Sequence, residues 1–407
     1  MRSDSALARQ VQSPRVVTIA DLRELARRRL PELVFNYIDG AAEEELTLAF
    51  NHEAFTEVMF RPRQCVGVPA CDLKTTVLGT ELALPFLLAP VGNVRSFYPM
   101  GDVHAARAAH AAGTVFIQST FSGVRIEDLR AASNGPLWYQ LYVPGGRNVA
   151  EATIARAKAA GYSVLMVTID TPVAGLRERD VRRGAKQVMS GEFLTSLPFL
   201  WQFARRPRWL LDFIGDGAPR VFPNVELPGV GPMPAGDVGT LLEETLVTWH
   251  DLRWMRDAWR GPVIIKGVHT ADDARCAMDA GADAIVVSNH GGRQLDGVPG
   301  SLRALPEVLE AVNGRIEVLM DGGIRRGADV AKALALGARA VLIGRAYAWA
   351  VGAAGGPGVA RAIEILKTDL VRTMRLLGCD AVRRLDASYV DVPASWHTTG
   401  RRSTYST

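Results

Sequence analysis

A histidine and an arginine three positions apart stand within the stretch 284–297, AIVVSNHGGRQLDG. The apolar run 284–287 has the length of a strand buried in a parallel sheet. The glycines behind it permit a sharp turn and a close approach of backbone to a ligand. At the mouth of such a turn His290 can act as a base near neutral pH. Arg293 offers a planar fork that matches a carboxylate or a phosphate. Alone, an H-x-x-R pair is more often a strand-end histidine beside a surface arginine, so the surrounding elements have to decide.

Those elements repeat. Short apolar runs recur at 86–90, 114–120, 137–143, 163–170, 262–268, 284–290, 316–323 and 340–346. Alanine-rich helical stretches that end in glycine, such as EATIARAKAAG and ADDARCAMDAG, separate most neighbours. Eight such units, without the early G-x-G-x-x-G of a doubly wound sheet, predict an α/β fold, the (β/α)8 TIM barrel. Ahead of it, Thr18 can cap a helix over 17–30, and 57–65 and 73–86 alternate like short strands. These make an N-terminal helical and short-β extension.

Residues 184–246 form a long insertion after the fourth strand. Its first part, 192–213, mixes Trp, Phe and Leu with arginines; its second is rich in Gly and Pro and is expected to be irregular and mobile. The first part could lie on a membrane surface, close over the barrel as a lid, or pack against another subunit. The expected organisation is a flexible N-terminus (1–16), one barrel domain (17–391) and a flexible tail (392–407).

A barrel of this kind builds its active site at the carboxyl ends of its strands. Those ends carry Pro90, Val91 and Gly92, then Ser119, Gln140 with Tyr142, Thr168 with Asp170, and Lys266. Ser288, His290 and Arg293 follow, then Asp321, Gly322, Gly323 and Arg325, and last Gly344 and Arg345. Strand interiors here are almost wholly apolar, so solvation alone does not explain such convergence. The endings DGGIRRG and IGRA combine exposed N–H groups with a helix start, which makes an anion cradle.

SNHGGRQLDG, DGGIRRG and ALALGARAVLIGRA resemble the FMN-dependent α-hydroxy acid dehydrogenase/oxidase family, which includes glycolate oxidase, L-lactate dehydrogenase, lactate monooxygenase and mandelate dehydrogenase. FNYIDGAAEEE, LAPVG, WYQLYV, TIDTPVAGLRERD and IIKGVHTADDA extend the likeness from about Thr18 to about Leu385. The resemblance implies oxidation of an L-2-hydroxy acid, lactate-sized or aryl, to the 2-oxo acid. It implies FMN contacts at Pro90, Val91, Gly92, Ser119, Gln140, Thr168, Lys266 and Ser288. The FMN phosphate would sit on Asp321, Gly322, Gly323, Arg325, Gly344 and Arg345. Substrate contacts would be Tyr37, Tyr142, Arg177, His290 and Arg293, with Asp170 pairing the histidine. Removing two electrons and two protons from such a substrate needs a base at His290, by a hydride or a carbanion route. It also needs a carboxylate clamp at Arg177 and Arg293. Lys266 beside the flavin would raise its potential. Phe121 and Ala174, small beside the residues of glycolate oxidase, would enlarge the pocket. Gly92 in place of the alanine of oxidases goes with dehydrogenases, so a quinone stands beside oxygen as candidate acceptor. The family often forms tetramers, which implies a homo-oligomer, here a homotetramer.

Composition excludes other classes. A net charge of +4 does not argue for nucleic acid, and the four cysteines form no C-x-x-C pair, so no metal site or disulfide framework is indicated. Residues 1–16 lack an apolar signal core, and no apolar run spans a bilayer. The expected location is cytoplasmic, with peripheral contact on the inner membrane face through 192–213. A non-redox phosphate-binding isomerase would need a second polar cluster, and one is visible. A silent barrel would need a broken set of site residues. A specialised biosynthetic substrate for the same flavin site stays open.

Overall fold

The computed structural model describes residues 2–185, 188 and 193–396. Eight parallel strands close into a cylinder. They are β1 (Phe86–Leu88), β2 (Phe116–Ser119), β3 (Leu137–Leu141), β4 (Leu165–Thr168), β5 (Val263–Val268), β6 (Ala284–Val287), β7 (Glu317–Met320) and β8 (Ala340–Ile343). β8 returns to β1 in the register Val341 to Phe86 and Ile343 to Leu88. The architecture is the (β/α)8 barrel expected.

Alternation along the strands sorts the core into two layers. Leu87, Ile117, Trp138, Met166, Ile264 and Leu342 pack together inside the cylinder. Val77 and Leu82, from the hairpin Thr75–Val77/Thr80–Leu82, join that inner layer and plug its amino end. Phe86, Phe116, Tyr139, Val167, Ile285 and Val341 face outward and meet the ring of helices. Helices such as Arg147–Ala159 and Ala271–Asp279 are followed by glycines in left-handed conformation, Gly161 (φ 78°) and Gly281 (φ 85°), which turn the chain back toward the next strand.

The N-terminal extension is helical over Ile19–Arg29, Glu32–Asp39 and Leu46–Glu57. Thr18 caps the first of these, and Asp21 reciprocates in a capping box. Leu22, Ala26 and Leu30 are fully buried, and this helix packs on the long final helix, Arg345–Leu377. Strand Met59–Phe60 pairs with Val390–Asp391, which ties the two ends of the chain together.

Three segments differ from expectation. Residues 1–16, expected to be flexible, contain the helix Arg2–Val11. Leu7 and Val11, four apart, form an apolar stripe against the core, and Val11 is buried. In the tail, Trp396 is buried and its indole N–H donates to the Glu57 carboxylate at 2.6 Å; residues 397–407 lie outside the described residues. In the insertion, the Gly/Pro-rich part is no irregular loop but an antiparallel hairpin, Val221–Leu227 with Gly231–Pro234. Pro232 and Pro234 are tolerated because a two-stranded ribbon leaves each strand one free edge. Phe222, Val225 and Met233 from this hairpin, with Leu242 from the helix Val238–Glu243, bury themselves against Phe121 and Val149. It is thus the second part, and not the first for which a lid was one alternative, that packs on Phe121 and Val149. Its first part forms the helices Phe193–Ala204 and Pro207–Gly215. These dock on the segment after β1 through Trp209 Nε1 to Ser96 O (2.9 Å) and on the extension through the Arg29–Asp212 ion pair (2.7 Å).

Candidate active site

One cavity opens at the carboxyl end of the cylinder, and every strand contributes to its wall. His290 and Asp170 come from β6 and β4, the two neighbours of β5. The turn after β6 holds His290, Gly291 and Gly292 in succession at positive φ (56°, 64° and 78°). A Cβ on Gly292 would sit 2.7 Å from the Leu48 backbone nitrogen, so this turn requires glycine there. A non-glycine residue at positive φ is uncommon and is retained where the surroundings over-determine it. Here the His290 N–H donates to Ser288 Oγ at 3.0 Å. Its Nδ1 lies 2.8 Å from Asp170 Oδ1.

Burial alone would raise the Asp170 carboxyl, but the charges of His290 and Lys266 outweigh it and hold the group at about 2. An ionised Asp170 fixes the proton on Nδ1 and leaves the Nε2 lone pair facing the cavity, where the Tyr142 hydroxyl lies 3.5 Å away. The folded value lies below the usual 3.9 or so of an unfolded aspartate. The stability this carboxylate contributes is therefore complete above about pH 4 and is lost as pH falls toward 2. Infrared difference spectra between wild type and Asp170→Asn should show the carboxylate stretch persisting below pH 4 and fading only toward about pH 2. A protonated-acid band at neutral pH would overturn that expectation.

Lys266, 3% exposed, sits at the centre of the rim. Its ammonium donates to Ser288 Oγ at 3.0 Å and lies 3.3 Å from Asp321 Oδ2 and 3.9 Å from Asp170 Oδ2. Burial would discharge it, but the two carboxylates raise its pKa overall. Beside it, Gln140 Nε2, Thr168 Oγ1 and Asp321 Oδ1 are buried without a hydrogen-bond partner among the described residues. Ser119 Oγ donates to Gln140 Oε1 at 3.0 Å, which fixes that amide. A row of unpaired donors and acceptors beside a charged ammonium fits the polar edge of a flavin ring.

The same cavity carries two further cations, Arg345 and Arg325. Arg345 donates to the carbonyls of Gly40 (2.8 Å), Gly291 (2.8 Å) and Ile38 (3.2 Å). Arg325 lies over the Trp349 ring at 4.6 Å. Among the described residues neither forms an ion pair. Burial pulls both guanidinium pKa values down, Arg325 to about 10, and His52 is pushed down to about 4 by burial and by these two charges. Two half-buried cations lacking carboxylate partners among the described residues, lining one cavity with the glycine turn 321–323, fit the phosphate of FMN.

Arg177 and Arg293 reach the same mouth as His290 and both approach the Tyr37 ring. Their guanidinium carbons lie 5.9 and 5.0 Å from the Tyr37 ring centroid. Arg293 Nη1 also donates to the carbonyls of Tyr37 (2.7 Å) and Gly40 (3.0 Å). The Tyr37 hydroxyl approaches the Gly92 carbonyl at 3.5 Å. Phe121 stacks on Tyr142 at 4.9 Å and meets Phe222 of the hairpin at 5.3 Å. All the site residues expected from sequence, apart from the buried supports Asp170 and Ser288, line this one cavity.

Other residues were not anticipated. Gln294 donates to the carbonyls of Asp170 (3.0 Å) and Val173 (2.9 Å), lacing the loops after β4 and β6 together. Val238 and Leu242 roof the cavity from the insertion. Their spacing of four was the only signal they offered.

A model of FMN-dependent dehydrogenases matches residues 26–392. The L-lactate dehydrogenase of Caulobacter vibrioides (strain NA1000 / CB15N) is 44% identical over 367 residues, covering 89% of this chain and 94% of that protein. A putative L-lactate dehydrogenase of Mycobacterium tuberculosis (strain ATCC 25618 / H37Rv) is 41% identical over 92% of this chain and 89% of its own length. Among solved structures, the monotopic membrane protein (S)-mandelate dehydrogenase superposes with a TM-score of 0.85 at 36% identity, covering 93% of this chain and 99% of that one. Mandelate oxidase follows at 0.77 and 35%, covering 92% and 98%.

Proposed function

The chain belongs to the FMN-dependent dehydrogenase family, and on that footing we propose that it oxidises an L-2-hydroxy acid with a methyl- to phenyl-sized side chain to the 2-oxo acid. The observation that carries this reading is the Asp170–His290 pair, 2.8 Å apart, sharing one mouth with Arg177, Arg293 and Tyr37. FMN, when bound, would take up the two electrons and one of the two protons that the oxidation removes from the substrate. Arg177 and Arg293 hold the substrate carboxylate, which fixes the α-carbon over the ring. His290 takes a proton at Nε2, and the imidazolium so formed is stabilised by Asp170. Tyr37 and Tyr142 orient the substrate oxygens. Pro90, Val91, Gly92, Ser119, Gln140, Thr168, Lys266 and Ser288 hold the ring, and residues 321–325 with Gly344 and Arg345 hold the phosphate. The ammonium of Lys266 favours negative charge on the neighbouring ring edge.

The substrate side chain faces Phe121, Ala174, Val238 and Leu242, an apolar wall suited to a methyl or phenyl group. The likeness to L-lactate and (S)-mandelate dehydrogenases supports the same size range. For the electron acceptor the reading is a quinone. The helices Phe193–Ala204 and Pro207–Gly215 expose Leu197, Leu200, Trp201, Leu211 and Ile214 beside Arg205 and Arg208, a surface suited to a bilayer interface. The neighbouring mandelate dehydrogenase is described as monotopic. No described helix is long and apolar enough to cross a membrane.

Anaerobic mixing of the yellow holoenzyme with L-lactate, (S)-mandelate and glycolate tests the reading. Bleaching is expected with the first two, and then faster recolouring by a quinone analogue than by oxygen. A flavin that stays oxidised with every 2-hydroxy acid would end it.

A further inference from the structure

Asp180 lies in the short helix Glu178–Arg182, three residues beyond Arg177, and is 8% exposed. Its Oδ2 accepts from Arg177 Nε at 3.2 Å. Its Oδ1 is buried and has no hydrogen-bond partner among the described residues. Burial raises its carboxyl pKa, and the charges of Arg177 and then Arg293 oppose that rise. The backbone here is anchored independently. Arg179 pairs with Asp39 (3.1 Å) and with Glu45, and the Glu43 N–H donates to the Leu176 carbonyl at 2.8 Å. Holding the loop in place therefore does not require Asp180. A buried acceptor left without a donor is costly, so its retention calls for another explanation.

We propose that Asp180 is a positioning residue that aims Arg177 and sets the charge of the substrate clamp; this rests on the reading of Arg177 and Arg293 as that clamp. A guanidinium can grip a carboxylate bidentately along its Nη1–Nη2 edge or along an Nε–Nη edge. With Nε held by Asp180, the terminal edge remains for the substrate. The same carboxylate cancels one of the two guanidinium charges. The clamp then carries a single excess positive charge, matched to a monocarboxylate. Without it the mouth would hold two, and a dicarboxylate would become the better ligand.

The test uses Asp180→Asn and Asp180→Ala holoenzymes. They are read by anaerobic flavin reduction and by absorbance titration with acetate and malonate. Asp180→Asn keeps an acceptor for Nε and loses the charge. It should lose less rate than Asp180→Ala while shifting its preference from acetate toward malonate. Asp180→Ala loses the acceptor as well and should fall roughly 100-fold in rate over half-saturation, the scale of a misplaced clamp. Unchanged kinetics in Asp180→Ala, equal impairment of both variants, or an unchanged acetate-to-malonate ratio in Asp180→Asn would each overturn the proposal. Should Asp180→Ala fail to fold, the ratio in Asp180→Asn decides. A wild type that no 2-hydroxy acid reduces would sink the proposed activity instead, and the anion titrations would still judge Asp180.

Discussion

Replacing His290 by alanine is expected to leave a yellow protein that the substrate bleaches roughly 10²- to 10⁴-fold more slowly, the range that general acid–base catalysis supplies. The flavin should stay because the unpaired amide of Gln140, the Lys266 ammonium and the glycine turn after β7 do not depend on the imidazole. Chemistry should fail because Nε2 is the one neutral nitrogen that the Asp170 pairing leaves open to the cavity. Asp170 itself stays charged beside Lys266, 3.9 Å away, but it has no proton site aimed at the substrate. Stopped-flow reduction with saturating substrate checks this. Reduction at the wild-type rate would remove His290 from the role of base.

The second large effect concerns Arg293. Its Nη1 is already committed to the carbonyls of Tyr37 and Gly40, so the clamp relies on its remaining N–H groups. A lysine brings three donors on one point and cannot brace two carbonyls while gripping a carboxylate in a plane. Arg293→Lys should therefore lower kcat/KM about 100-fold, the scale of a misplaced reactive centre, with both parameters affected. Binding of FMN should be weakened far less than turnover, because among the described residues Gln140, Lys266 and the glycine turn after β7 make no contact with Arg293, which meets Arg345 only through the shared Gly40 carbonyl. Steady-state kinetics together with a flavin-release assay separate the two outcomes. Wild-type kinetics would take Arg293 out of the clamp.

The barrel was legible because each of its strands is a short apolar run bounded by glycine or by a polar rim residue. Parallel strands buried on both faces leave little else as a pattern. The rim residues were legible for a related reason, since polar groups at the ends of apolar runs stand out. The first helix was missed because Leu7 and Val11 are only two apolar positions in a polar segment, too few for a clear period. The hairpin at 221–234 was missed because its prolines and glycines are also what an irregular loop contains. Asp180 looked like one charge in a charged run, GLRERDVRR. Its importance comes from burial and from its distance to Arg177, which spacing does not encode.

The cylinder closes only when β8 reaches β1, and Arg345 then ties together the carbonyls of Ile38, Gly40 and Gly291. A nascent chain still attached to the ribosome with its last hundred residues unmade holds an open sheet with two bare edges, one at each side. Its half-built phosphate seat can hold no prosthetic group. Loading with FMN thus follows translation, and messages truncated before residue 345 should yield colourless, aggregation-prone fragments that more riboflavin in the medium does not rescue.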